Sequence, residues 1–143
     1  MTCSKSADAT GRVNQVEIKW VLDASAVLAY LNQEPRGQRL EDMLAEAAIS
    51  TVNVSEAIAV LIRRGMDAAA ARDCLASLRA DIVAFDNDLA FDAAILKERN
   101  RANGLSLGDC ACLATAEWLR ATAVTCDSAW EGLSGEVNVV VLR

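Results

Sequence analysis

The sequence predicts an α/β sandwich built around a mainly parallel sheet. Short apolar segments with strand character alternate with longer segments whose apolar residues recur at helical spacing. Glycine, proline, asparagine and aspartate separate these segments, as expected at the ends of helices and strands. The chain has 143 residues, the size of one domain. Because no linker or repeat interrupts the alternation, we expect a single domain over residues 18–143.

The first half of the chain contains two predicted strands and four predicted helices. Residues 18–22 are a short apolar run typical of a buried strand, and residues 24–31 form a helix that ends at the segment NQEPRG. Segment 36–47 has apolar residues at helical spacing, and AIST, at 48–51, is a short strand. A helix at 54–64 ends at Gly65, and an alanine-rich helix follows at 67–78.

The second half contains three predicted strands and two predicted helices. The segment DIVAF, residues 81–85, predicts a strand. A helix at 88–101 ends at the segment NRANG, and another helix spans 107–119. The segments ATAVTC and VNVVVL, at 121–126 and 137–142, predict two more strands, and a turn or short helix begins between them at Asp127. Strands that alternate with helices in this way favour a parallel sheet.

The composition excludes several kinds of active site. The chain has no histidine, which rules out serine–histidine and cysteine–histidine catalysis and any zinc site held by imidazole. The formal net charge is −6, from 20 acidic and 14 basic residues, which argues against a broad basic surface for nucleic acid. The five cysteines match no zinc motif, so we expect small buried residues in a reducing cytoplasm.

The ends of the chain and its hydropathy predict a cytoplasmic protein. No apolar run is long enough to span a membrane, and the first residues lack the apolar stretch of a signal peptide. Residues 1–17 are polar, and we expect them to form a flexible arm without chemistry of its own.

Four acidic residues lie where predicted strands end or predicted helices begin. Asp23 follows the first strand and Asp127 follows the strand at 121–126, whereas Glu56 and Asp109 lie near the starts of helices. In open α/β sheets, ligands bind beyond the carboxyl ends of the strands. We therefore expect the four carboxylates to approach one edge of the sheet.

Each of these acids also has an explanation that involves no function. The two that follow strands are placed to cap the next helix, and the pairs Ser106 with Asp109 and Asn53 with Glu56 have the spacing of a capping box. Capping does not explain the apolar surroundings of Asp23. A carboxylate buried there would be costly unless it were paired or bound to a cation.

Convergence of the four carboxylates would require a hard cation. Sites made only of oxygen ligands suit Mg²⁺ or Mn²⁺, and the lack of histidine removes the softer alternatives. A metal ion held by carboxylates can generate hydroxide and can stabilise negative charge on a phosphate. The chemistry that this pattern favours is metal-assisted hydrolysis of a phosphodiester.

The segments around the four acids resemble the motifs of PIN-domain ribonucleases, in particular the VapC-type toxins of type II toxin–antitoxin systems. VLDASAVLAYLNQEP resembles the first motif, VNVSEAIAVL the second, LSLGDCACLATA the third and AVTCDSAW the fourth. The likeness covers residues 18–142. It departs from the family at Cys126, where alanine is frequent, and in the long arm before the first strand.

The resemblance implies a three-layer α/β/α fold with a mainly parallel central sheet and an Mg²⁺- or Mn²⁺-dependent endoribonuclease activity. It implies that Asp23, Glu56, Asp109 and Asp127 are catalytic and bind the metal, and that the Ser25 hydroxyl orients one of the carboxylates. It also implies an RNA substrate, a homodimer, and a cognate antitoxin protein that blocks the metal site.

One other function stays open beside this one. A PIN fold can serve as a non-catalytic protein-binding module, although a scaffold has no need of four clustered acids. A phosphoacceptor receiver domain would need a lysine after a late strand, and the lysines are Lys5, Lys19 and Lys97. A phosphatase of the haloacid dehalogenase type would need Asp-x-Asp after the first strand, where the chain has Asp23-Ala24-Ser25.

Overall fold

The computed structural model describes residues 17–133 and 137–143, and a five-stranded parallel sheet lies at its centre. The strands are Trp20–Leu22 (β1), Ala47–Ser50 (β2), Asp81–Val83 (β3), Thr122–Thr125 (β4) and Val139–Val141 (β5). They are arranged in the order β3-β2-β1-β4-β5, and every neighbouring pair is parallel. The first strand in the chain is therefore the central strand of the sheet.

Within residues 17–133 and 137–143, five α-helices connect the strands, with short 3₁₀ segments between them. The α-helices are Ala24–Leu31 (α1), Thr51–Arg63 (α2), Ala68–Ser77 (α3), Asn87–Arg99 (α4) and Leu107–Leu119 (α5). The 3₁₀ segments are Pro35–Asp42, Leu44–Glu46, Arg101–Asn103 and Ser128–Gly132. No helix among the described residues is both long and apolar enough to cross a membrane.

Two hydrophobic cores lie on opposite faces of the sheet. Val21 packs in the core that contains α4 and α5, whereas the next residue, Leu22, packs in the core that contains α1, α2 and α3. This alternation follows from strand geometry, since successive side chains point to opposite faces. The predicted fold class, a three-layer α/β/α sandwich with a parallel sheet, is confirmed.

The prediction of one helix over residues 36–47 was wrong. The segment forms two 3₁₀ helices, and Ala47 already belongs to β2. Gly37 lies so close to α1 that a Cβ atom there would overlap the backbone of Ala29 and Tyr30. Within Pro35–Asp42 only Gly37 and Leu40 are buried, so the segment has too little apolar surface to stabilise a regular helix.

The predictions for the cysteines and for the N-terminal arm concern burial and chain order. Cys110 and Cys112 are buried as expected, Cys74 and Cys126 are half-buried, and all four are free thiols. The predicted arm, residues 1–17, lies outside the described residues except for Glu17.

Candidate metal centre

Asp23 is a buried carboxylate at the carboxyl end of the central strand. Its side chain is 5% exposed and makes no capping hydrogen bond to α1. Instead, its Oδ2 atom accepts a hydrogen bond of 2.7 Å from the Ser25 hydroxyl and one of 2.9 Å from the Thr125 hydroxyl. The capping role considered for this residue is therefore not what holds it in place.

The two hydroxyl groups that contact Asp23 are themselves fixed by the backbone after β4. Ser25 Oγ accepts a hydrogen bond of 3.0 Å from the Cys126 amide, and Thr125 Oγ1 accepts one of 3.0 Å from the Asp127 amide. With their acceptor sides occupied, both hydroxyls can donate to the carboxylate. Ser25 therefore contacts Asp23 directly, and its role in orienting a metal ligand stays a prediction.

Glu56 lies in α2 and is held by a neighbouring amide. Asn53 Nδ2 donates a hydrogen bond of 2.9 Å to Glu56 Oε1 and a second one of 3.1 Å to the Gly108 carbonyl. The capping box considered for Asn53 and Glu56 was wrong, because α2 begins at Thr51. Its cap is Ser50, whose hydroxyl accepts from the Val52 amide at 3.3 Å.

Asp109 does form the capping box that its spacing predicts. Its amide donates to Ser106 Oγ at 3.1 Å, and its Oδ2 atom accepts from the Ser106 amide at 2.9 Å. This reciprocal pair fixes the Asp109 carboxylate at the start of α5. The cap leaves Oδ1 outside the pair, so capping and metal binding are compatible at this residue.

The charge on Asp109 affects both Asp23 and Glu56, and the charge on Asp23 affects Glu56. Burial raises the pKa of Asp23, the Ser25 and Thr125 hydroxyls oppose that rise, and the charge on Asp109 adds to it. Burial also raises the pKa of Glu56, the hydrogen bond from Asn53 opposes the rise, and the charges on Asp23 and Asp109 add to it. The structure therefore places these three predicted site residues within electrostatic reach of one another.

Asp127 lies two residues after Thr125, and its amide donates to the Thr125 hydroxyl that contacts Asp23. It is exposed, and its Oδ1 atom caps the 3₁₀ segment Ser128–Gly132 by accepting from the Ala129 amide at 2.9 Å. Among the described charges, those that raise the pKa of Asp23 and Glu56 do not include Asp127. Its assignment as a metal ligand stays a prediction.

The donor set fits a hard divalent cation that keeps part of its water shell. In residues 17–133 and 137–143, no three acidic or cysteine side chains are grouped closely enough to hold a metal ion by themselves. Mg²⁺ is often held by only one or two carboxylates, with water and phosphate as the other ligands. Burial and the charges on the three acids hold the pKa of the nearby Cys112 thiol well above its usual range.

A cleft of about 610 Å³ adjoins Glu56. It lies between the starts of α2 and α5 and is lined by Phe85 and Leu107 together with the hydroxyls of Thr51, Ser55 and Ser106. Its position beyond the carboxyl end of β2 is where α/β sheets bind ligands.

Sequence reasoning missed two of the residues that shape this site. Thr125 was not predicted to contact Asp23, and Gly108 was not predicted to contact Glu56. A signal for Thr125 existed, since a hydroxyl at the end of an otherwise apolar strand needs a hydrogen-bond partner when it is buried. The signal for Gly108 was weaker: a glycine in the first turn of a helix suggests that another group approaches closely there.

The fold and these motifs have known counterparts. The family model described as PIN domain matches residues 20–135. The chain is similar to VapBC2 from Rickettsia felis bound to a promoter DNA fragment, with a TM-score of 0.69, 17% identity, and coverage of 88% of this chain and 100% of that one. Comparison with curated protein sequences gives no significant match.

Two further solved structures show the same likeness. A toxin–antitoxin complex from Klebsiella pneumoniae has a TM-score of 0.67 and 22% identity, with coverage of 85% of this chain and 96% of that one. VapC20 from Mycobacterium tuberculosis, a sarcin-ricin loop cleaving toxin, has a TM-score of 0.64 and 19% identity, with coverage of 81% and 97%. At such identities the structural likeness establishes the fold, and the family match spans all four predicted acids. The chain therefore belongs to the PIN domain family.

Proposed function

We propose that this protein is an Mg²⁺- or Mn²⁺-dependent endoribonuclease that acts as the toxin of a toxin–antitoxin pair. The observation that carries the proposal is the buried Asp23 at the end of the central strand, coupled electrostatically to Glu56 and Asp109. A buried carboxylate beside two other acids is costly unless a cation compensates the charge. The similarity to VapC20, a toxin that cleaves the sarcin-ricin loop, supports RNA as the substrate class.

In the proposed nuclease, some residues would bind the metal ion and others would orient the residues that bind it. Asp23, Glu56, Asp109 and Asp127 would hold the ion together with its bound water, since no three of the described acids are grouped closely enough to hold it by themselves. Ser25 and Thr125 keep Asp23 oriented and favour its ionised form by donating hydrogen bonds to it. The bound ion would supply activated water and stabilise charge on the phosphate.

The proposed partners follow from the same similarities. The Klebsiella pneumoniae structure is a toxin–antitoxin complex, which supports a cognate antitoxin for this chain. We also propose that two copies of this chain form a homodimer. The four described cysteines are free thiols, which suits the reducing cytoplasm as the site of action.

The test is RNA cleavage by the purified protein with and without a divalent ion. We expect cleavage with Mg²⁺ or Mn²⁺ and none with excess EDTA. Asp23→Asn should lower the rate by at least about 100-fold, because a metal ion contributes several kcal/mol and each 1.36 kcal/mol is a factor of ten. The matched control is Asp73→Asn on the exposed face of α3. Cleavage by Asp23→Asn with an unchanged metal dependence would refute the assignment.

A non-catalytic binding module is the second candidate, and one observation favours it. Asp109 and Asp127 each cap a helical segment, so both have a structural role without any metal. A calorimetric titration that detects no binding of Mg²⁺ or Mn²⁺ to the folded protein would select this alternative over the nuclease.

A further inference from the structure

The space beside Gly108 is filled by the side chain of Glu56. Gly108 is buried in the first turn of α5, and a Cβ atom built on it would overlap the Glu56 carboxylate, both oxygens included. The φ angle of Gly108 is not in the left-handed region, unlike those of Gly65 and Gly104. Glycine is therefore needed at position 108 for room and not for its backbone freedom.

The side-chain amide of Asn53 makes hydrogen bonds to both Glu56 and Gly108. Asn53 is fully buried, and its Nδ2 atom donates to both Glu56 Oε1 and the Gly108 carbonyl. Its Oδ1 atom is buried without a hydrogen-bond partner in the part of the chain that the structure describes. A buried amide with an unpaired acceptor costs free energy, so stability alone does not account for asparagine at this position.

From these contacts we propose that Asn53 and Gly108 are positioning residues for Glu56. Together they form a seat, defined by the Asn53 amide and the bare Cα of Gly108, that fixes the carboxylate against α5. Asp23 and Asp109 repel this carboxylate, and the seat holds it near them before any ion arrives. The inference rests on the proposed function, because it assumes that Glu56 contributes to the metal centre.

The first test removes the space. In Gly108→Ala the added methyl displaces the Glu56 carboxylate, and the fold should tolerate this because the displaced atoms are the end of a flexible side chain. We expect Mg²⁺ affinity, measured by calorimetry without RNA, to fall at least about tenfold, the loss typical when residues that orient metal ligands are changed. The matched control is Gly132→Ala, where a Cβ meets only Asn103 Nδ2 at 3.9 Å and affinity should not change.

The second test separates positioning from stability. Asn53→Leu keeps a similar volume but removes both hydrogen bonds and the unpaired oxygen. We expect the Mg²⁺ affinity to fall, as in Gly108→Ala, while the midpoint of urea unfolding stays equal or rises. A purely structural asparagine would instead lose stability on this substitution and leave the affinity of the folded protein unchanged.

The third test asks whether Gly108 acts through Glu56. The side chain in Glu56→Asp is one methylene shorter, so it no longer reaches the position that the new methyl would occupy. Adding Gly108→Ala to Glu56→Asp should therefore weaken Mg²⁺ binding little further, whereas independent effects would multiply. Multiplying effects would overturn the proposal.

One more variant separates failure of this inference from failure of the proposed function. If Glu56→Gln leaves Mg²⁺ affinity unchanged, Glu56 is not part of the metal centre and both proposals fail at this residue. If Glu56→Gln weakens binding but Gly108→Ala does not, the seat is overturned and the nuclease proposal stands.

Discussion

Asp23 combines two properties that oppose one another, deep burial and a carboxylate that the proposed chemistry needs in its ionised form. Two hydroxyls donate to it, and each favours the ionised form. Burial and the charge on Asp109 nevertheless prevail, because the pKa of Asp23 is raised above its ordinary value of 3.8. The site thus stores an electrostatic cost that a bound cation would relieve.

We predict that Asp23→Asn stabilises the metal-free protein at neutral pH. Because the folded-state pKa lies above the ordinary value of 3.8, the contribution of Asp23 to stability is full below pH 3.8 and is lost as the pH rises through the folded-state pKa. The variant escapes this loss, so it should gain on the order of 1 kcal/mol at pH 7 relative to wild type. Urea unfolding in EDTA at pH 4 and pH 7 measures the difference.

Two comparisons check this prediction. Asp73→Asn, on an exposed position of α3, should follow the wild type at both pH values. Addition of Mg²⁺ should stabilise the wild type but not Asp23→Asn, because a ligand stabilises only the state that binds it. An Asp23→Asn protein that is less stable than the wild type at pH 7 in EDTA would contradict the electrostatic account.

At the residue scale, the sequence predicts that the acids of the candidate site approach one another, but it does not predict the contacts that hold each carboxylate in place. Asp23, Glu56 and Asp109 are recognisable from their places after strands and near helix starts. The contacts of Thr125 with Asp23 and of Gly108 with Glu56 cannot be recognised in the sequence. Thr125 and Asp23 are 102 positions apart, and Gly108 and Glu56 are 52 positions apart. Only the folded arrangement shows that the Thr125 hydroxyl reaches Asp23 and that Glu56 fills the space beside Gly108.

At the scale of elements, the start of α5 has two roles, since its capping box also fixes a proposed metal ligand. We predict that Ser106→Ala lowers the free energy of unfolding by about 1 kcal/mol, the usual effect of losing a cap. It should also reduce RNA cleavage, because the Asp109 carboxylate loses the reciprocal cap that orders it. Urea unfolding and the cleavage assay measure the two effects.

The matched control for this prediction is another helix cap. Asp67 caps α3 by accepting a hydrogen bond of 3.2 Å from the Ala69 amide. Asp67→Ala should cost similar stability but leave cleavage unchanged, since α3 does not contribute to the metal centre. Equal losses of cleavage in the two variants would show that activity follows stability alone.

Element bounds were predicted best for two helices, whereas the helix predicted to start at residue 54 starts at Thr51. The predicted helices 24–31 and 107–119 have the observed bounds, and each begins directly after a polar residue at its N-cap. Segment 36–47 was misjudged because apolar spacing alone does not reveal how little of the segment is buried. Tertiary contact with α1 decides its conformation, and the sequence does not display that contact.

At the scale of the molecule, the order of the strands creates the site. β1 lies between β2 and β4, so the residues that follow these three strands meet at one edge of the sheet. Asp23 follows β1, Thr125 ends β4, and α2 with Glu56 follows β2 directly. The alternation of elements predicts a parallel sheet, but it does not give this order, because pairing between strands depends on contacts distant in sequence.

The outer face of α4 has the features expected of the proposed homodimer contact. Phe91 is 68% exposed and Ile95 is 42% exposed, one helical turn apart. The helix carries Asp88 in its first turn and Lys97 and Arg99 in its last turn. A two-fold axis across this face would align α4 antiparallel to its copy, so that the acidic start of each helix faces the basic end of the other.

We predict that Phe91→Glu abolishes this dimer, because the two-fold axis introduces the charge twice into one apolar contact. Light scattering after gel filtration should give twice 15.2 kDa for the wild type and 15.2 kDa for the variant. The matched control is Ile62→Glu, which places the same charge on an exposed apolar position of α2 and should leave the dimer intact. If Phe91→Glu remains dimeric while its unfolding is unchanged, the contact lies on another face. A wild-type protein of 15.2 kDa at micromolar concentration would count against the homodimer itself.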